Sequence, residues 1–274
     1  AGLAIAGATG KPLIVHVHST EFDRAGESID QRIYEIERRG MHAARRVICV
    51  SQLTRKICET RYGVEREKTR VVYNGVAPGG QNALPATTTF KREEKLVLFL
   101  GRLTFQKGPE YFVNAAKKVL EKDSNVKFII AGSGDLAARV IELAASLGIG
   151  HKVFFAGWLR GEDVDRVFQM ADVYVMPSVS EPFGIAPLEA IRHDVPIIIS
   201  RNSGVAEVIR HALKVDFWDV DDIANKILAV LKHPPLSQSL RDNATFELRQ
   251  LTWDGAAEKC RSLYEDVVGE MVKA

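Results

Sequence analysis

Two glutamates eight positions apart, Glu181 and Glu189, have the types and spacing that most clearly suggest chemistry. They lie in residues 180–191, the paired-glutamate segment, which follows an apolar strand pattern and opens a predicted helix near Gly184. The free N–H groups of a first helical turn and the positive end of the helix dipole form a natural anion site. A bare anion would not need two acids, whereas a sugar ring or a ribose would, because carboxylates accept hydrogen bonds from vicinal hydroxyl groups. The alternative, that Glu181 caps the helix and Glu189 is a solvated helical residue, stays open from these residues alone.

A cationic loop follows another apolar strand pattern. Arg102 and Lys107 stand five positions apart between residues 95–100 and a predicted helix at 108–121. Two cations in one strand-to-helix loop can converge on one polyanion, with arginine supplying a planar fork for phosphate oxygens and lysine a point charge. Alternatively, both are solvated. Cations for a diphosphate and acids for hydroxyl groups together indicate a nucleotide-sugar site.

Two further loops also follow strand patterns. Residues 131–135 form a glycine-rich turn containing Gly134 that resembles a phosphate loop, although such glycines often serve only a tight turn. Trp158 and Leu159 follow the next strand pattern, where an aromatic ring either flanks a base or belongs to the core. We favour recognition of the base by the backbone, with Trp158 packed in the core.

A histidine marks the end of the first strand pattern. His18 is the last of residues 13–18 and precedes a polar loop. At this position a functional role and a structural role of His18 are equally open. His16 alternates with two valines and is expected to face the opposite way from His18.

Strand and helix patterns alternate along most of the chain, which predicts parallel sheets joined by right-handed crossovers. The predicted strands are at 13–18, 46–50, 69–73, 95–100, 126–131, 152–156, 172–176 and 196–200. Their apolar runs are continuous, as expected where helices cover both faces of a sheet. No strand is predicted after Val215. We therefore predict an α/β protein with two doubly wound Rossmann-like units, in which ligands bind at the carboxyl ends of the strands near a switch point.

The predicted domain boundaries fall where this alternation breaks. Residues 1–77 hold only about three predicted strands, so we expect them to be the C-terminal part of a first Rossmann-like domain that is truncated or incomplete. Residues 78–94 contain Pro and Gly and lack periodicity, which predicts a linker. A donor-binding domain is expected at 95–250, and a C-terminal helix at 251–274 is a candidate to pack back on the first domain.

The composition is that of an ordinary globular protein. The chain has 274 residues, of which 46% are hydrophobic and 26% charged, and a net charge of +2 that is too small to imply nucleic acid or membrane as a partner. No apolar run reaches membrane length, and Cys49, Cys58 and Cys260 lack metal-ligand spacing. We therefore expect no metal site, no disulfide framework and a reducing, cytoplasmic location.

The combined motifs resemble those of the retaining glycosyltransferases of family four, which have the GT-B fold. The resemblance covers nearly the whole chain. It rests on the cationic loop together with the paired-glutamate segment, and on two shorter matches in the first unit. The matching residues are Gly101-Arg102, Lys107-Gly108, Glu181-Pro182-Phe183-Gly184, Glu189, Val50-Ser51 and Val71-Val72-Tyr73-Asn74-Gly75-Val76.

This resemblance implies a role for each candidate residue. Arg102 and Lys107 would bind the donor diphosphate and stabilise it as it leaves, while Glu181 would contact the hydroxyl groups of the donor sugar. Glu189 would bind the ribose, and His18 would lie near the donor sugar across the interdomain cleft. The implied catalytic residues are His18, Arg102, Lys107 and Glu181. The implied donor-binding residues are Arg102, Lys107, Gly134, Trp158, Leu159, Glu181, Phe183, Gly184, Ile185 and Glu189, with backbone N–H groups acting near Phe183, Gly184 and Ile185.

The resemblance also implies a reaction. A hexosyltransferase of this kind moves a sugar from a nucleotide-diphosphate sugar to an acceptor, here an unknown saccharide, lipid or small molecule, with retention of the anomeric configuration. No metal, further cofactor or nucleic-acid partner is implied, and peripheral membrane contact is left open. Two alternatives remain: a non-catalytic fragment that binds nucleotide sugars, and another GT-B enzyme such as a nucleotide-sugar epimerase or a phosphorylase.

Overall fold

The computed structural model of the chain describes residues 1–77 and 94–272, with side chains described through residue 270. Most of the predicted linker, residues 78–93, lies outside the described residues. Glu94, at the end of that predicted linker, forms ion pairs with Lys127 and Lys152, each 2.6 Å long. The described residues form two α/β units, each built on a parallel sheet.

The first unit is a three-stranded parallel sheet with helices between its strands. The strands are β1 (Ile14–Val17), β2 (Arg46–Cys49) and β3 (Thr69–Val71), in the order β1-β2-β3. The helices are α1 (Gly2–Thr9), α2 (Glu21–Ala25), α3 (Gln31–Ala43) and α4 (Gln52–Arg61). The central strand β2 is buried from its second residue onward, as its continuous apolar run predicts. α4 begins after Ser51 because the hydroxyl oxygen of that residue accepts a hydrogen bond from the Thr54 N–H at 3.0 Å.

The second unit is a six-stranded parallel sheet in the order β6-β5-β4-β7-β8-β9. The strands are β4 (Lys95–Leu100), β5 (Val126–Ala131), β6 (Val153–Gly157), β7 (Val173–Met176), β8 (Ile197–Ser200) and β9 (Leu213–Val215). The helices that follow β4 are α5 (Pro109–Lys122), α6 (Ala137–Ser146), α7 (Glu162–Met170), α8 (Ala186–Arg192), α9 (Val205–Val208), α10 (Val220–Lys232), α11 (Pro234–Leu248) and α12 (Trp253–Val272). The strand order reverses between β4 and β7, so a crevice opens outside the carboxyl ends of these two strands. The cationic loop and the paired-glutamate segment both begin at this crevice.

Two local predictions are wrong. Residues 213–215, which are not predicted as a strand, form the edge strand β9, which is too short for a side-chain pattern to reveal. The polar loop predicted after His18 begins the helix α2 instead. A capping box between Thr20 and Asp23 satisfies the first N–H groups of this short helix, which the sequence pattern does not reveal.

Glu207 of α9 links the second unit to the first. Its carboxylate accepts hydrogen bonds from the backbone N–H groups of Gln52 and Leu53, each 2.8 Å long, and from the Tyr73 hydroxyl group at 3.0 Å. Burial and the charge of this carboxylate raise the pKa of Tyr73 to about 12. Because Gln52 and Leu53 start α4, the carboxylate also meets the positive end of that helix dipole.

A substitution of Glu207 tests this link. Glu207→Ala is expected to lower the free energy of unfolding by about 1–2 kcal/mol, because it removes two hydrogen bonds to a helix N-terminus and a charge–dipole interaction. Thermal unfolding followed by circular dichroism measures the effect. Glu142→Ala, at an exposed position of α6, is the matched control and should leave the melting temperature unchanged. Equal melting temperatures for the two variants would contradict a stabilising role for Glu207.

The chain also connects the two units near the start of α12. The Val76 N–H donates to the Leu251 carbonyl oxygen at 3.0 Å, and a Cβ on Gly75 would lie 2.2 Å from the carbonyl carbon of Thr252. Further along α12, Glu270 forms an ion pair with Arg46 of β2. The C-terminal helix therefore contacts residues of the first unit at its start and near its end.

Candidate functional site

A cavity of about 590 Å³ opens at the crevice between β4 and β7. The loops that follow β4, β5, β6 and β7 line it, which is the position at which doubly wound sheets bind ligands. Seven of the predicted site residues line the cavity: Arg102, Lys107, Trp158, Leu159, Glu181, Gly184 and Ile185.

Glu181 and Lys107 form an ion pair on the wall of this cavity. The Lys107 ammonium donates to Oε2 of Glu181, which also accepts a hydrogen bond from the Ser178 hydroxyl group at 3.4 Å. Glu181 is 6% exposed, and a carboxylate this buried needs such partners. It does not cap α8, because that helix starts after Ile185 without a side-chain cap. The pair therefore presents an ammonium and a carboxylate to one and the same ligand.

Arg102 starts the cationic loop and is exposed at the cavity. One of its guanidinium N–H groups donates to the side-chain carbonyl oxygen of Gln106 at 3.2 Å. The backbone carbonyl oxygen of Gln106 in turn accepts from the Val179 N–H at 2.9 Å. Gly108, with a φ of 64°, approaches the loop after β7 so closely that a Cβ would lie 2.3 Å from the Pro177 carbonyl oxygen. The cationic loop and the paired-glutamate segment are thus packed together, and Arg102 keeps guanidinium donors for a ligand.

Gly184 shapes the paired-glutamate segment. Its φ of 100° lies in the region that favours glycine, and a Cβ there would lie 3.2 Å from Cγ of Glu181. α8 therefore begins at Ala186, two residues after the predicted start. Phe183 is buried, its ring lies 6.1 Å from that of Tyr73, and it does not line the cavity. Its side chain thus packs between the two units, and only its backbone is a candidate to contact a ligand.

Glu189 lies in the first turn of α8, partly buried and outside the lining of the cavity. Burial raises the pKa of its carboxyl group, an effect that the Arg192 charge opposes and the Asp165 charge reinforces. Within residues 1–77 and 94–272, the carboxylate has no hydrogen-bond or ion-pair partner. It is therefore free to accept hydrogen bonds from a ligand that reaches past the start of α8.

Trp158 forms an exposed wall of the cavity. It is 58% exposed, so the expectation that it packs in the core is wrong. It follows Gly157, whose φ of 68° ends β6, and its ring lies 5.9 Å from the guanidinium carbon of Arg160. Leu159, beside it, is partly exposed. A flat, accessible ring at this position is suited to stack on a planar ligand.

Comparison of the sequence with protein families decides what kind of protein carries this site. The profile described as Glycosyl transferases group 1 matches residues 81–246, and the profile described as Glycosyltransferase Family 4 matches residues 1–79. The chain belongs to the group 1 glycosyl transferases. The cationic loop and the paired-glutamate segment of this transferase both lie in the first of these matches.

Several curated proteins are similar in sequence to the transferase. An uncharacterized glycosyltransferase of Methanocaldococcus jannaschii is 33% identical over 272 residues, which cover 93% of this chain and 69% of that protein. A mannosylfructose-phosphate synthase of Agrobacterium fabrum is 30% identical over 188 residues, 64% of this chain and 41% of that protein. A D-inositol 3-phosphate glycosyltransferase of Corynebacterium diphtheriae is 33% identical over 181 residues, 63% of this chain and 42% of that protein. The matches with the last two thus span about two fifths of their length.

Solved structures of low sequence identity share the fold. Sucrose-phosphate synthase from Thermosynechococcus elongatus superposes with a TM-score of 0.83 at 22% identity, over 98% of this chain and 71% of that chain. Anabaena HepE, in complex with UDP and glucose, superposes with a TM-score of 0.83 at 18% identity, over 97% of this chain and 74% of that chain. Together with the two parallel sheets, these neighbours confirm the predicted α/β fold with two Rossmann-like units, GT-B.

Two of the seven histidines of the transferase, His16 and His18, lie together at β1. His18 is exposed at the end of this strand, and its ring lies 4.3 Å from that of His16. The expectation that His16 faces the opposite way is therefore wrong, because residues two apart on a strand share a face. Burial lowers the pKa of His16, and the nearby His18 lowers it further. His18 is not among the residues that line the cavity.

The glycine-rich turn after β5 contributes a different glycine from the predicted one. Gly134 does not line the cavity; a Cβ on it would lie 2.3 Å from the Leu103 carbonyl oxygen, so it serves close packing of two loops. Gly132, which the sequence does not single out, does line the cavity. Its φ is 144°, and a Cβ would lie 1.8 Å from the Gly101 carbonyl oxygen. The two glycines are distinguished by the loops they meet, Gly101 for Gly132 and Leu103 for Gly134, which sequence patterns do not give.

Neither a metal-ligand cluster nor a membrane-spanning helix is found among the described residues. Within residues 1–77 and 94–272, no group of three or more His, Cys, Asp or Glu side chains is arranged to hold a metal ion. Within the same residues, no helix combines the length and apolar character needed to cross a membrane.

Proposed function

We propose that this chain provides the donor site and catalytic groups of a glycosyltransferase that moves a hexose from a nucleotide-diphosphate sugar to an acceptor, with retention of the anomeric configuration. One observation carries the proposal: Arg102, Lys107 and Glu181 share one cavity at the switch point of the second sheet. A diphosphate needs the cations, and a sugar needs an acceptor of hydroxyl protons. The HepE structures, with UDP, UDP-glucose or UDP and glucose bound, support a nucleotide sugar as the donor.

The proposed roles follow from charge and position. Arg102 and Lys107 bind the diphosphate and stabilise the negative charge that grows on it as the bond to the sugar breaks. Glu181 accepts hydrogen bonds from the sugar hydroxyl groups, Glu189 from the ribose, and Trp158 flanks the base. Because two cations already face the diphosphate, the proposal includes no metal ion and no further cofactor.

Residues outside the cavity lining also take part in the proposed reaction. His18 approaches the donor sugar from the first unit, and the acceptor is a saccharide, a lipid or a small molecule that enters from that side. We place the reaction in the cytoplasm, because Cys49 and Cys58 are both buried thiols without a disulfide, which suits a reducing compartment.

Product analysis tests the proposed reaction. The chain is incubated with UDP-glucose, GDP-mannose or ADP-glucose and with acceptors of the three classes, and release of the nucleoside diphosphate is measured. We expect release that depends on one donor and one acceptor class, and a product whose proton NMR spectrum shows the anomeric configuration of the donor. An inverted product would contradict retention. Tight donor binding without turnover for any acceptor would instead support a non-catalytic binding protein.

The raised pKa of Glu189 gives the proposal a pH dependence. The ionised carboxylate can accept a hydrogen bond from each ribose hydroxyl group, and such bonds are roughly twice as strong as those to a neutral carboxyl group. Protonation of Glu189 is therefore expected to weaken UDP binding as the pH falls toward its pKa, which lies above the ordinary value of 4.5. Titration of UDP and of 2′,3′-dideoxy-UDP between about pH 8 and pH 5 measures the effect. The ratio of the two affinities should fall on acidification in the native chain and stay constant in Glu189→Gln; a constant ratio in both would remove Glu189 from the ribose site.

A further inference from the structure

Asp23 is a buried carboxylate of the first unit whose two oxygens both have fixed partners. It is 3% exposed. Its Oδ2 accepts hydrogen bonds from the backbone N–H and the hydroxyl group of Thr20, each 2.8 Å long. Its Oδ1 accepts a hydrogen bond from the hydroxyl group of Ser180 in the second unit at 2.7 Å. Three donors on one buried carboxylate hold it in a single orientation, so Asp23 is a rigid anchor for Ser180.

Ser180 belongs to a short extended segment that the first unit contacts twice. Ser180 donates to Asp23, and two residues later the Pro182 carbonyl oxygen accepts a hydrogen bond from the Thr54 hydroxyl group at 3.4 Å. Between them, Glu181 forms a parallel bridge with Ser203: its N–H donates to Asn202 at 2.9 Å, and its carbonyl oxygen accepts from Gly204 at 3.0 Å. The segment around Glu181 is therefore fixed on both sides by backbone or side-chain contacts.

The geometry of an extended segment connects these contacts to the cavity. Successive side chains of extended backbone point to opposite sides. Ser180 points toward the first unit, whereas Glu181 points into the cavity, where it pairs with Lys107. Displacing Ser180 would therefore displace the Glu181 carboxylate with it.

We propose that Asp23 is a positioning residue of the transferase: through Ser180 it holds the Glu181 carboxylate where the donor sugar binds. This inference rests on the proposed donor site. It assigns to the first unit a role in placing the sugar, although the cavity that receives the nucleotide sugar is lined by residues of the second unit. Within the described part of the chain, Asp23 makes no hydrogen bond to Arg102, Lys107 or Glu189, so its effect should fall on the sugar and spare the nucleotide.

Simple adhesion between the two units is the competing explanation for this hydrogen bond. Loss of adhesion would lower the melting temperature and weaken the binding of a nucleoside diphosphate and of its sugar ester equally. Loss of positioning would weaken only the sugar ester relative to the nucleoside diphosphate. The ratio of the two dissociation constants therefore separates the two explanations.

The experiment is a calorimetric titration of the full chain with two probes. The first is whichever of UDP-glucose, GDP-mannose and ADP-glucose the native chain binds most tightly, and the second is the corresponding nucleoside diphosphate. In Ser180→Ala, we expect the dissociation constant of the nucleotide sugar, divided by that of the nucleoside diphosphate, to rise about 5- to 10-fold, as loss of one hydrogen bond to a charged group allows. Ser180→Thr keeps a hydroxyl group and should restore the native ratio. Thr60→Ala, which removes an exposed hydroxyl group of α4, is the matched control and should leave it unchanged.

A double-mutant cycle tests whether Asp23 acts through Ser180. If it does, the variant carrying both Ser180→Ala and Asp23→Ala should show no larger ratio than Asp23→Ala alone. Because Asp23 also closes the first turn of α2, Asp23→Ala is used only if its circular dichroism spectrum is native. Should that variant not fold, the comparison of Ser180→Ala with Ser180→Thr decides.

The outcomes for the inference and for the proposed function are distinct. A native chain that binds none of the three nucleotide sugars would overturn the proposed function, and the inference with it. A native chain that binds a nucleotide sugar, with an unchanged ratio in Ser180→Ala, would overturn the inference and leave the proposed function intact. Equal weakening of both probes would likewise overturn it in favour of adhesion.

Discussion

Replacing Glu181 with glutamine is expected to slow sugar transfer about 10²- to 10³-fold, the loss typical for removing one electrostatic contact of a transition state. Glutamine keeps the shape of the side chain but loses the negative charge. That charge pairs with Lys107 and strengthens the hydrogen bonds that the carboxylate accepts from the sugar hydroxyl groups. Affinity for the nucleoside diphosphate should be equal to or higher than that of the native chain, because the Lys107 ammonium then has no competing carboxylate. Steady-state rates and a calorimetric titration measure the two effects separately.

The control for this prediction is a glutamate outside the site. Glu162→Gln changes an exposed residue of α7 whose ion pair with Arg166 lies on the surface, so rate and affinity should both stay native. A Glu181→Gln variant that transfers sugar at the native rate would remove Glu181 from the proposed mechanism. A parallel loss of nucleoside diphosphate binding would show instead that the substitution damages the cavity as a whole.

Replacing Lys107 with alanine is expected to weaken binding of a nucleoside diphosphate about 10- to 100-fold and to leave binding of the nucleoside unchanged. The reason is that one charge-assisted contact to a phosphate contributes about 1.5–3 kcal/mol, and each 1.4 kcal/mol corresponds to a factor of ten. Titration of UDP and uridine, or of the pair whose base the native chain prefers, measures the difference. Equal losses for the two ligands would contradict the assignment of Lys107 to the diphosphate.

Two further measurements make the Lys107 result interpretable. Lys117→Ala removes a partly exposed lysine of α5, paired with Glu121 at 3.6 Å, and should affect neither ligand. Among the residues that the structure describes, Lys107→Ala also leaves the buried Glu181 carboxylate with the Ser178 hydroxyl group as its one remaining side-chain partner, so a lower melting temperature is expected as well. A nucleoside titration that stays native shows that the lower stability has not altered the base-binding part of the cavity.

The strand order explains why the main site residues were predictable. Arg102 and Glu181 each follow a continuous apolar strand, and the carboxyl ends of β4 and β7 meet at the point where the strand order reverses. The pattern of parallel strands thus predicts that the cationic loop and the paired-glutamate segment lie at the same edge of the sheet. It does not reveal the ion pair between Lys107 and Glu181, because pairing depends on where the side chains point within loops.

Other residues depend on contacts that no local pattern encodes. Gly132 rather than Gly134 lines the cavity because of the way the loop after β5 crosses Gly101. Trp158, which we expected to pack in the core, is exposed. The links from Glu207 to α4 and from Asp23 to Ser180 join residues far apart in sequence, so only the packed structure shows them.

Calorimetric titration of the native chain with UDP-, GDP- and ADP-sugars tests most directly whether the cavity at the switch point is a nucleotide-sugar site. We predict selective binding of one of the three with a micromolar dissociation constant, and binding of its nucleoside diphosphate that Lys107→Ala weakens. Absence of binding by all three, in a chain whose circular dichroism spectrum and cooperative melting show that it is folded, would contradict the assignment.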